Sequence, residues 1–331
     1  MPFIFTQESV KRMTNTPLPQ LGDQRSKLMK QVRQRWQLYL FLLIPVIYIL
    51  VFAYYPMLGV QIAFKNFQPR KGIWGSEWAG LVHFKAFFSS FYFSRTVTNT
   101  IRLSVYYLLV NFPLSIIFAL MINIIVNKKL KHTLQTILYI PHFISTVVLV
   151  GMLMQILNPV TGLYGNIYRL FVPGEYPPDI LSKAQPFTHL YVWSGIWQNL
   201  GWNTIVYIAA LSGTDVELHE AAQIDGATRL QRIIHIDFPA LLPTASIILI
   251  LNSGSIMNVG FEKAYLMQNS INVVNSEVIS TYVYKVGLSG ATNQFSYAAA
   301  VGLFNNVING ILLLIVNSLS KKLSDGTRGL F

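Results

Sequence analysis

Six long stretches without one charged side chain constrain this chain more than any other feature of its sequence. Each exceeds the roughly 20 mostly apolar residues that a helix needs to cross a bilayer. Their unbroken apolar character differs from the alternating pattern of membrane β-strands, which span with about ten residues each. The sequence therefore predicts an all-α integral membrane protein with six transmembrane helices. The six windows cover residues 36–64, 103–127, 133–168, 184–214, 238–261 and 286–320.

Composition supports the membrane assignment. Charged residues make up 11% of the 331-residue chain and hydrophobic residues 53%, whereas a soluble domain carries about 25% charged residues. So few charges cannot cover a water-soluble globule of this size, so composition argues against a soluble two-domain enzyme and against a disordered chain. The sequence contains no Cys, so disulfides, thiolate catalysis and cysteine metal sites are excluded as well.

Flanking basic residues predict the orientation, because cytoplasmic loops carry an excess of Lys and Arg. We expect both termini on the cytoplasmic side, with tails at residues 1–35 and 321–331 around a membrane domain at 36–320. The first window follows a polar segment without a cleavage pattern, so we expect it to stay uncleaved. Contact with anionic lipid explains the net charge of +12 better than nucleic acid does. The basic residues that cluster directly before the first window are Arg25, Lys27, Lys30, Arg33 and Arg35.

The predicted cytoplasmic loop at residues 212–240 holds five of the thirteen acidic residues of the chain. Thr214 and Glu217 have the spacing of a capping box, which marks a helix start. Gly226 lies where a left-handed C-terminal cap would fall, and we expect Pro239 to end a second helix. The loop therefore predicts two short helices.

The second of these helices has its own start signal at Thr228 and Gln231, again with capping-box spacing. On the first helix, Ala221 and Ala222 are small enough for another protein to approach closely. An acidic, structured segment in a chain this poor in charge indicates a partner with a complementary surface.

The same loop resembles the EAA loop in the membrane subunits of binding-protein-dependent ABC importers. The resemblance rests on Glu220-Ala221-Ala222, Asp225-Gly226-Ala227 and Pro239 at matching spacings. A second set of motifs is similar to the carbohydrate branch of that family, including a subgroup for oligosaccharide and polysaccharide-fragment uptake. It comprises Tyr55-Pro56, Ala63-Phe64-Lys65-Asn66-Phe67, Gly72-Ile73-Trp74-Gly75-Ser76, Gly80-Leu81-Val82-His83-Phe84 and Thr98-Asn99-Thr100.

The resemblance implies a type I ABC importer permease fold for residues 36–320, in the bacterial cytoplasmic (inner) membrane. Glu220, Ala221, Ala222, Asp225, Gly226, Ala227 and Pro239 would form coupling helices that dock into a groove of a separate ATPase. ATP and Mg would bind that partner, and this chain would hold no cofactor, metal or catalytic residue. The implied partners are a second, non-identical permease subunit, two ATPase subunits and an extracytoplasmic sugar-binding protein. The chain itself contains no phosphate-binding P-loop.

Polar residues inside the windows are candidates for a substrate pathway, because they are costly in lipid unless they face a cavity or a partner. The resemblance favours the fourth and fifth windows. The alternative is hydrogen bonding between helices, and Trp202 could equally belong to an interfacial aromatic belt. The candidates are Asn199, Gly201, Trp202, Asn203, Asn252, Ser255 and Asn258. Asn305 and Asn309 share a face of the last helix and need the same explanation.

The outer segment at 65–102 is basic against the positive-inside trend. Two interpretations stand: attraction of an anionic sugar or of an acidic binding protein, or contact with lipid headgroups. Its basic residues are Lys65, Arg70, Lys71, Lys85, Arg95 and Arg102.

A secondary solute transporter is the main alternative function. Such carriers usually need ionisable relay residues within their spans, and the six windows contain no Asp, Glu or Lys. An enzyme is disfavoured as well, because none of the six His residues is spaced for a helical metal pair.

Overall fold

The computed structural model of the protein describes residues 34–290 and 293–323. Helices dominate these residues, and β1 (Lys65–Asn66) and β2 (Glu77–Trp78) form one short antiparallel pair in which Lys65 faces Trp78. This confirms the all-α class. The helices are α1 (Trp36–Ile49), α2 (Tyr55–Met57), α3 (Gly72–Gly75), α4 (Val82–Phe88), α5 (Phe91–Asn123), α6 (Lys128–Tyr139), α7 (Thr146–Ile156), α8 (Leu163–Phe171), α9 (Ala184–Leu211), α10 (Val216–Ile224), α11 (Arg229–Arg232), α12 (Phe238–Gly254), α13 (Phe261–Met267), α14 (Val273–Ser276), α15 (Ile279–Tyr284) and α16 (Phe295–Leu323).

The chain divides into two units, one that ends at Val60 and one that starts at Gln61. In the first unit a π-helical turn at Leu50–Tyr54 joins α1 to α2. The side chains of α1 are apolar and exposed. A helix satisfies its own backbone hydrogen bonds, so such a surface is stable in lipid.

Long helices form the core of the second unit. Helix α9 packs along α5, and α12 packs along α16. One apolar cluster joins Leu103 of α5 to Val192 and Ile196 of α9, and another places Phe87 and Val301 together. These clusters bring the polar faces of α5, α9 and the chain after α12 to one place.

Within residues 34–290 and 293–323, four helical stretches are long and apolar enough to cross a membrane. A fifth is counted if α6 and α7, with the 3-10 turn between them, form one span bent by 96°. Each stretch overlaps one of the predicted windows. The four are Trp36–Phe64, Phe91–Asn123, Arg229–Gly254 and Phe295–Lys322.

The remaining window, residues 184–214, corresponds to α9, which has 28 residues and so measures about 42 Å, enough to cross a bilayer. It falls outside the apolar stretches because polar side chains such as Thr188, Gln198 and Thr204 lie along it, buried against neighbouring helices. A helix face that packs against other helices need not be apolar. The count of six spans therefore stays a prediction.

The prediction that Pro239 ends a helix is wrong. Helix α11 continues through a π-helical turn at Ile233–Asp237 directly into α12, and Pro239 lies in the first turn of α12. The amide of Phe238 donates to the carbonyl of Ile233. Proline cannot donate to the residue one turn back, and the wider turn that precedes it accommodates the missing bond.

Candidate functional site

A polar cavity of about 470 Å³ lies between α5, α9 and the segment that follows α12. Asparagine, glutamine and hydroxyl side chains from all three elements reach it. Amides and hydroxyls can both donate and accept hydrogen bonds, so the cavity suits a neutral polar ligand group. The polar side chains on its wall are Ser104, Tyr107, Asn111, Thr146, Tyr191, Gln198, Asn199, Asn203, Asn252, Ser255, Asn258 and Lys263.

Five of the seven predicted pathway residues line this cavity: Asn199, Asn203, Asn252, Ser255 and Asn258. The windows that contain them are distant in sequence, and the packing of α9 against α12 and its following segment brings them together.

Gly201 and Trp202 do not line the cavity. Gly201 lies where α9 meets α6, and a Cβ there would clash with the carbonyl oxygen of Leu138, so its role is close helix packing. Trp202 is half exposed and stacks on His142 with ring centroids 4.3 Å apart and planes 10° apart. Neither position offers a group to a cavity ligand.

Hydrogen bonds hold the α9 amides in place. Asn203 Nδ2 donates to Asn111 Oδ1 at 3.3 Å, which links α9 to α5. Asn199 Nδ2 donates to the carbonyl of Gly195 at 3.0 Å, and its Oδ1 lies 3.0 Å from His142 Nδ1. The predicted alternative of helix-to-helix hydrogen bonding therefore holds for Asn203, which also lines the cavity.

Asn258 connects the segment after α12 to α16. Its Oδ1 accepts from Asn305 Nδ2 and from Asn309 Nδ2, both at 3.0 Å. Asn309 Oδ1 accepts from the Met257 amide at 2.8 Å. The shared face of Asn305 and Asn309 is thus explained by packing between these elements.

Sequence reasoning missed Lys263, which lies two residues beyond the fifth window. The structure ends α12 at Gly254 and places Lys263 in a separate helix, α13. The side chain is 7% exposed and lines the cavity. Its Nζ donates to the carbonyl of Tyr191 at 2.8 Å and lies 4.8 Å from the centre of the Tyr191 ring. The sequence feature that could have identified Lys263 is its position directly after an apolar window.

The basic residues of the outer segment are largely engaged within the chain. Lys65 is buried, donates to the carbonyl of Ile73 at 2.8 Å and lies 5.9 Å from the rings of Trp74 and Trp78. Lys71 lies 3.6 Å from Glu77.

Arg95 and Arg102 belong to helix α5 rather than to a loop. Arg95 pairs with the buried Glu277 at 3.1 Å, and Lys285 pairs with the other oxygen of that carboxylate at 3.2 Å. Arg102 donates to Asn99 at 2.6 Å. Arg95 and Arg102 therefore have partners within the chain, and their presence does not require a bound anion.

The loop at residues 212–240, which the sequence predicts to be cytoplasmic, contains the two predicted helices, α10 and the start of the α11–α12 stretch. Gly226 separates them at φ +80°. The amide of Ala227 donates to the carbonyl of Ala222 at 2.9 Å, and that of Gly226 donates to Gln223 at 3.1 Å, which is the Schellman pattern. The left-handed glycine cap predicted from the sequence is confirmed.

One of the two predicted capping boxes is present. Thr228 and Gln231 cap α11 reciprocally. Thr214 does not cap α10, because Asp215 takes that position and its side chain accepts from the Glu217 amide at 2.9 Å. Asp and Thr compete for the same role, and Asp is the stronger cap.

Several apolar side chains of this loop are exposed. Leu218 is 55%, Ile224 86% and Leu230 65% exposed, and Glu220 and Asp225 are exposed beside them. Ala222 and Ala227 line a small depression of about 210 Å³. An apolar patch with an acidic border is typical of a protein interaction surface.

Asp237 ties this loop to the membrane helices. It is buried, and its Oδ1 lies 3.3 Å from His219 Nε2 on α10 and accepts from Asn123 Nδ2 at 3.3 Å at the end of α5. Three elements therefore meet at one carboxylate.

Among residues 34–290 and 293–323, no three His, Cys, Asp or Glu side chains are grouped as a metal site. A bundle of apolar helices around a polar cavity, with a two-helix loop at one end, is the architecture of a membrane transport subunit. Residues 111–325 match the family described as "Binding-protein-dependent transport system inner membrane component". The chain belongs to that family, as the EAA-loop resemblance indicated, and it is a multi-pass inner-membrane component of a transport system.

Relatives cover nearly the whole chain. Protein LplB of Bacillus subtilis (strain 168) is 39% identical over 98% of this chain and 100% of its own length. The polygalacturonan/rhamnogalacturonan transport system permease protein YteP of the same organism is 39% identical over 92% of this chain and 93% of its own.

A solved structure is similar as well. A chain of a bacterial alginate ABC transporter, in complex with an alginate pentasaccharide-bound periplasmic protein, superposes with a TM-score of 0.82 at 37% identity, over 92% of this chain and 100% of that one. Family membership favours a permease that depends on partner subunits over the self-sufficient secondary transporter.

Proposed function

We propose that this chain is one of the two permease subunits of an ATP-driven importer of oligosaccharides. The observation that carries the substrate class is the 470 Å³ cavity with its wall of amide and hydroxyl side chains. Sugar hydroxyls are both donors and acceptors, and such a wall offers both in return. YteP is named for polygalacturonan/rhamnogalacturonan transport, and the solved alginate transporter was captured with a saccharide-loaded periplasmic protein.

Asn199, Asn203, Asn252, Ser255 and Asn258 contact the sugar in this proposal, because their side chains share the cavity. Gly201 and Trp202 support the packing of α9 instead. The second permease subunit completes the wall on the open side, and an extracytoplasmic binding protein delivers the sugar.

The cytoplasmic loop is the docking site for the ATPase. Its exposed apolar residues need a partner surface, and Glu220, Ala221, Ala222, Asp225, Gly226 and Ala227 lie on α10 and its cap. Pro239 acts differently from the other residues of the motif, since it lies inside α12. ATP and Mg bind the ATPase subunits.

The proposal keeps residues 1–35 and 321–331 as cytoplasmic tails around a 36–320 permease domain. Basic residues near both ends favour this orientation. The tails lie mostly outside the described residues. Attachment of a membrane-impermeant reagent to single cysteines, introduced at residues 10 and 328, tests it, since the chain has no native Cys.

Purification of the tagged chain from its native membrane tests the assembly. We expect an ATPase and a second permease to co-purify, with vanadate-sensitive ATP hydrolysis in the sample. Glu220→Lys, which reverses a charge at the loop surface, should release the ATPase and leave the second permease bound. Recovery of the chain alone, still able to move solute without ATP, would overturn the proposal.

A further inference from the structure

The cavity wall carries one cation and no carboxylate among the described residues that line it. Lys263 is that cation. Glu262, its neighbour in sequence, is exposed and does not line the cavity. The ammonium lies near the neutral side chains of Tyr191 and Tyr107 around Gly195. The charge of Lys263 is therefore uncompensated within the described part of the chain.

A buried ammonium without a counter-ion is unfavourable, because burial removes its hydration. Lys263 recovers part of this cost through its bond to the Tyr191 carbonyl and its contact with the Tyr191 ring. An ammonium has three donors, and that carbonyl takes one. The remaining donors lie at the wall of a cavity large enough for a sugar unit.

Lys263 differs in this respect from the buried Lys65 and from the partly buried Arg95 and Lys285. The ammonium of Lys65 points to a carbonyl under two tryptophans, and Arg95 and Lys285 share the carboxylate of Glu277. Each of those has a structural partner outside the cavity. A methionine at position 263 would fill the same volume without the electrostatic cost, so packing alone does not require a lysine.

We propose that Lys263 is the anion-binding residue of the cavity and that the imported substrate is an acidic oligosaccharide, whose uronate carboxylate pairs with the Lys263 ammonium during passage. The inference rests on the proposed function and specifies its substrate class. The amide side chains bind sugar hydroxyls, and Lys263 selects the charged ring position. The basic outer segment is not needed for this selection, since its cations are largely engaged elsewhere.

The test uses the complete importer with its own binding protein in proteoliposomes. The acidic probes are trigalacturonate and trimannuronate, and the neutral probes are their carboxyl-reduced counterparts. Lys263→Met should lower uptake of the acidic probe by at least about tenfold, whereas Lys263→Arg, which keeps the charge, should retain most of it. Lys85→Met, which removes an exposed cation of the outer segment, is the matched control and should transport like the wild type.

Three results would overturn the inference. One is wild-type uptake of an acidic probe by Lys263→Met. Another is equal loss of acidic and neutral uptake, which would mean that Lys263 pairs with a carboxylate of the second permease. The third is import of neutral probes alone by the wild type, which leaves the proposed function intact. Failure of every saccharide to enter would instead refute the proposed function.

A measurement on the unaltered importer covers the case in which Lys263→Met fails to assemble. Reductive methylation of Lys263 is quantified by mass spectrometry during ATP turnover. The acidic probe should protect Lys263, and its carboxyl-reduced counterpart should not. Equal labelling with both probes would contradict the pairing.

Discussion

His219 Nε2 lies 3.3 Å from Asp237 Oδ1, so α10, the first helix of the loop at residues 212–240, is joined directly to the start of a membrane helix. Asn123 donates to the same carboxylate oxygen at 3.3 Å from the end of α5. Movement of α10 can therefore be transmitted to α5 and α12 through the buried side chain of Asp237. The EAA motif does not predict the contact between His219 and Asp237, because Asp237 lies 15 residues beyond Ala222.

Asp237→Ala should uncouple ATP hydrolysis from transport. The change leaves His219 and Asn123 without their shared acceptor, which weakens the contact of α10 with α5 and α12. We expect hydrolysis to continue while uptake per ATP falls by about tenfold, since each lost contact to a charged group is worth about 1.5–3 kcal/mol. The ratio of uptake to phosphate release measures this. Glu217→Gln, an exposed change on α10, the helix that carries His219, is the control. An unchanged ratio of uptake to phosphate release in Asp237→Ala would show that this contact does not couple the loop to the membrane helices.

Gly226→Ala should weaken the cap between the two loop helices. A residue with a Cβ at φ +80° raises the free energy of this backbone conformation by about 1–2 kcal/mol. The loop should then populate other conformations, to which the ATPase does not bind. The amount of ATPase that co-purifies should fall. Gly302→Ala is the matched control, because a Cβ there meets no atom within 4 Å. Full ATPase recovery with Gly226→Ala would show that the cap geometry is dispensable.

Gly201→Ala should lower stability and leave substrate selectivity unchanged. The added methyl group would press α9 against the backbone of α6 at Leu138, and overpacking of this kind costs about 1–3 kcal/mol. Thermal unfolding of the purified complex reports the loss. Gly310→Ala, at a helical glycine with open space, should unfold like the wild type. A change in sugar preference with normal stability would return Gly201 to the substrate pathway.

Asn258→Ala and Asn252→Ala should differ in their effect on stability, because Asn258 supports another helix as well as lining the cavity. Asn258→Ala removes the acceptor of the buried Asn305 and Asn309 amides, each of which then costs about 1–3 kcal/mol. We expect a lower unfolding temperature. Asn252 is exposed to the cavity, so Asn252→Ala should keep the unfolding temperature and raise the KM for sugar. The opposite pattern would exchange the two roles.

Local sequence signals predicted the cytoplasmic loop well. Gly226 and the Thr228–Gln231 box depend on backbone geometry within a few residues, and such geometry is encoded locally. Pro239 shows where this reasoning fails, because a preceding π-helical turn lets the helix pass a residue that usually ends one. Thr214 shows a second failure, since its neighbour Asp215 is the better cap.

Features that depend on tertiary packing could not be predicted from the sequence. Charge-free windows locate lipid-facing helices, yet α9 buries one face against other helices and carries polar residues on that face. Trp202 and Asn199 are three residues apart, but one stacks on His142 at the surface and the other lines the cavity. The position of Lys263 on the cavity wall could not be predicted from the sequence, because it depends on how α13 packs against α9.

The most direct test of the central claim is uptake of a labelled oligosaccharide into proteoliposomes that hold the complete assembly, with the binding protein outside and nucleotide inside. We predict accumulation with ATP and Mg, none with a non-hydrolysable ATP analogue, and none when the ATPase is omitted. Accumulation by this chain without ATP or ATPase would contradict the account.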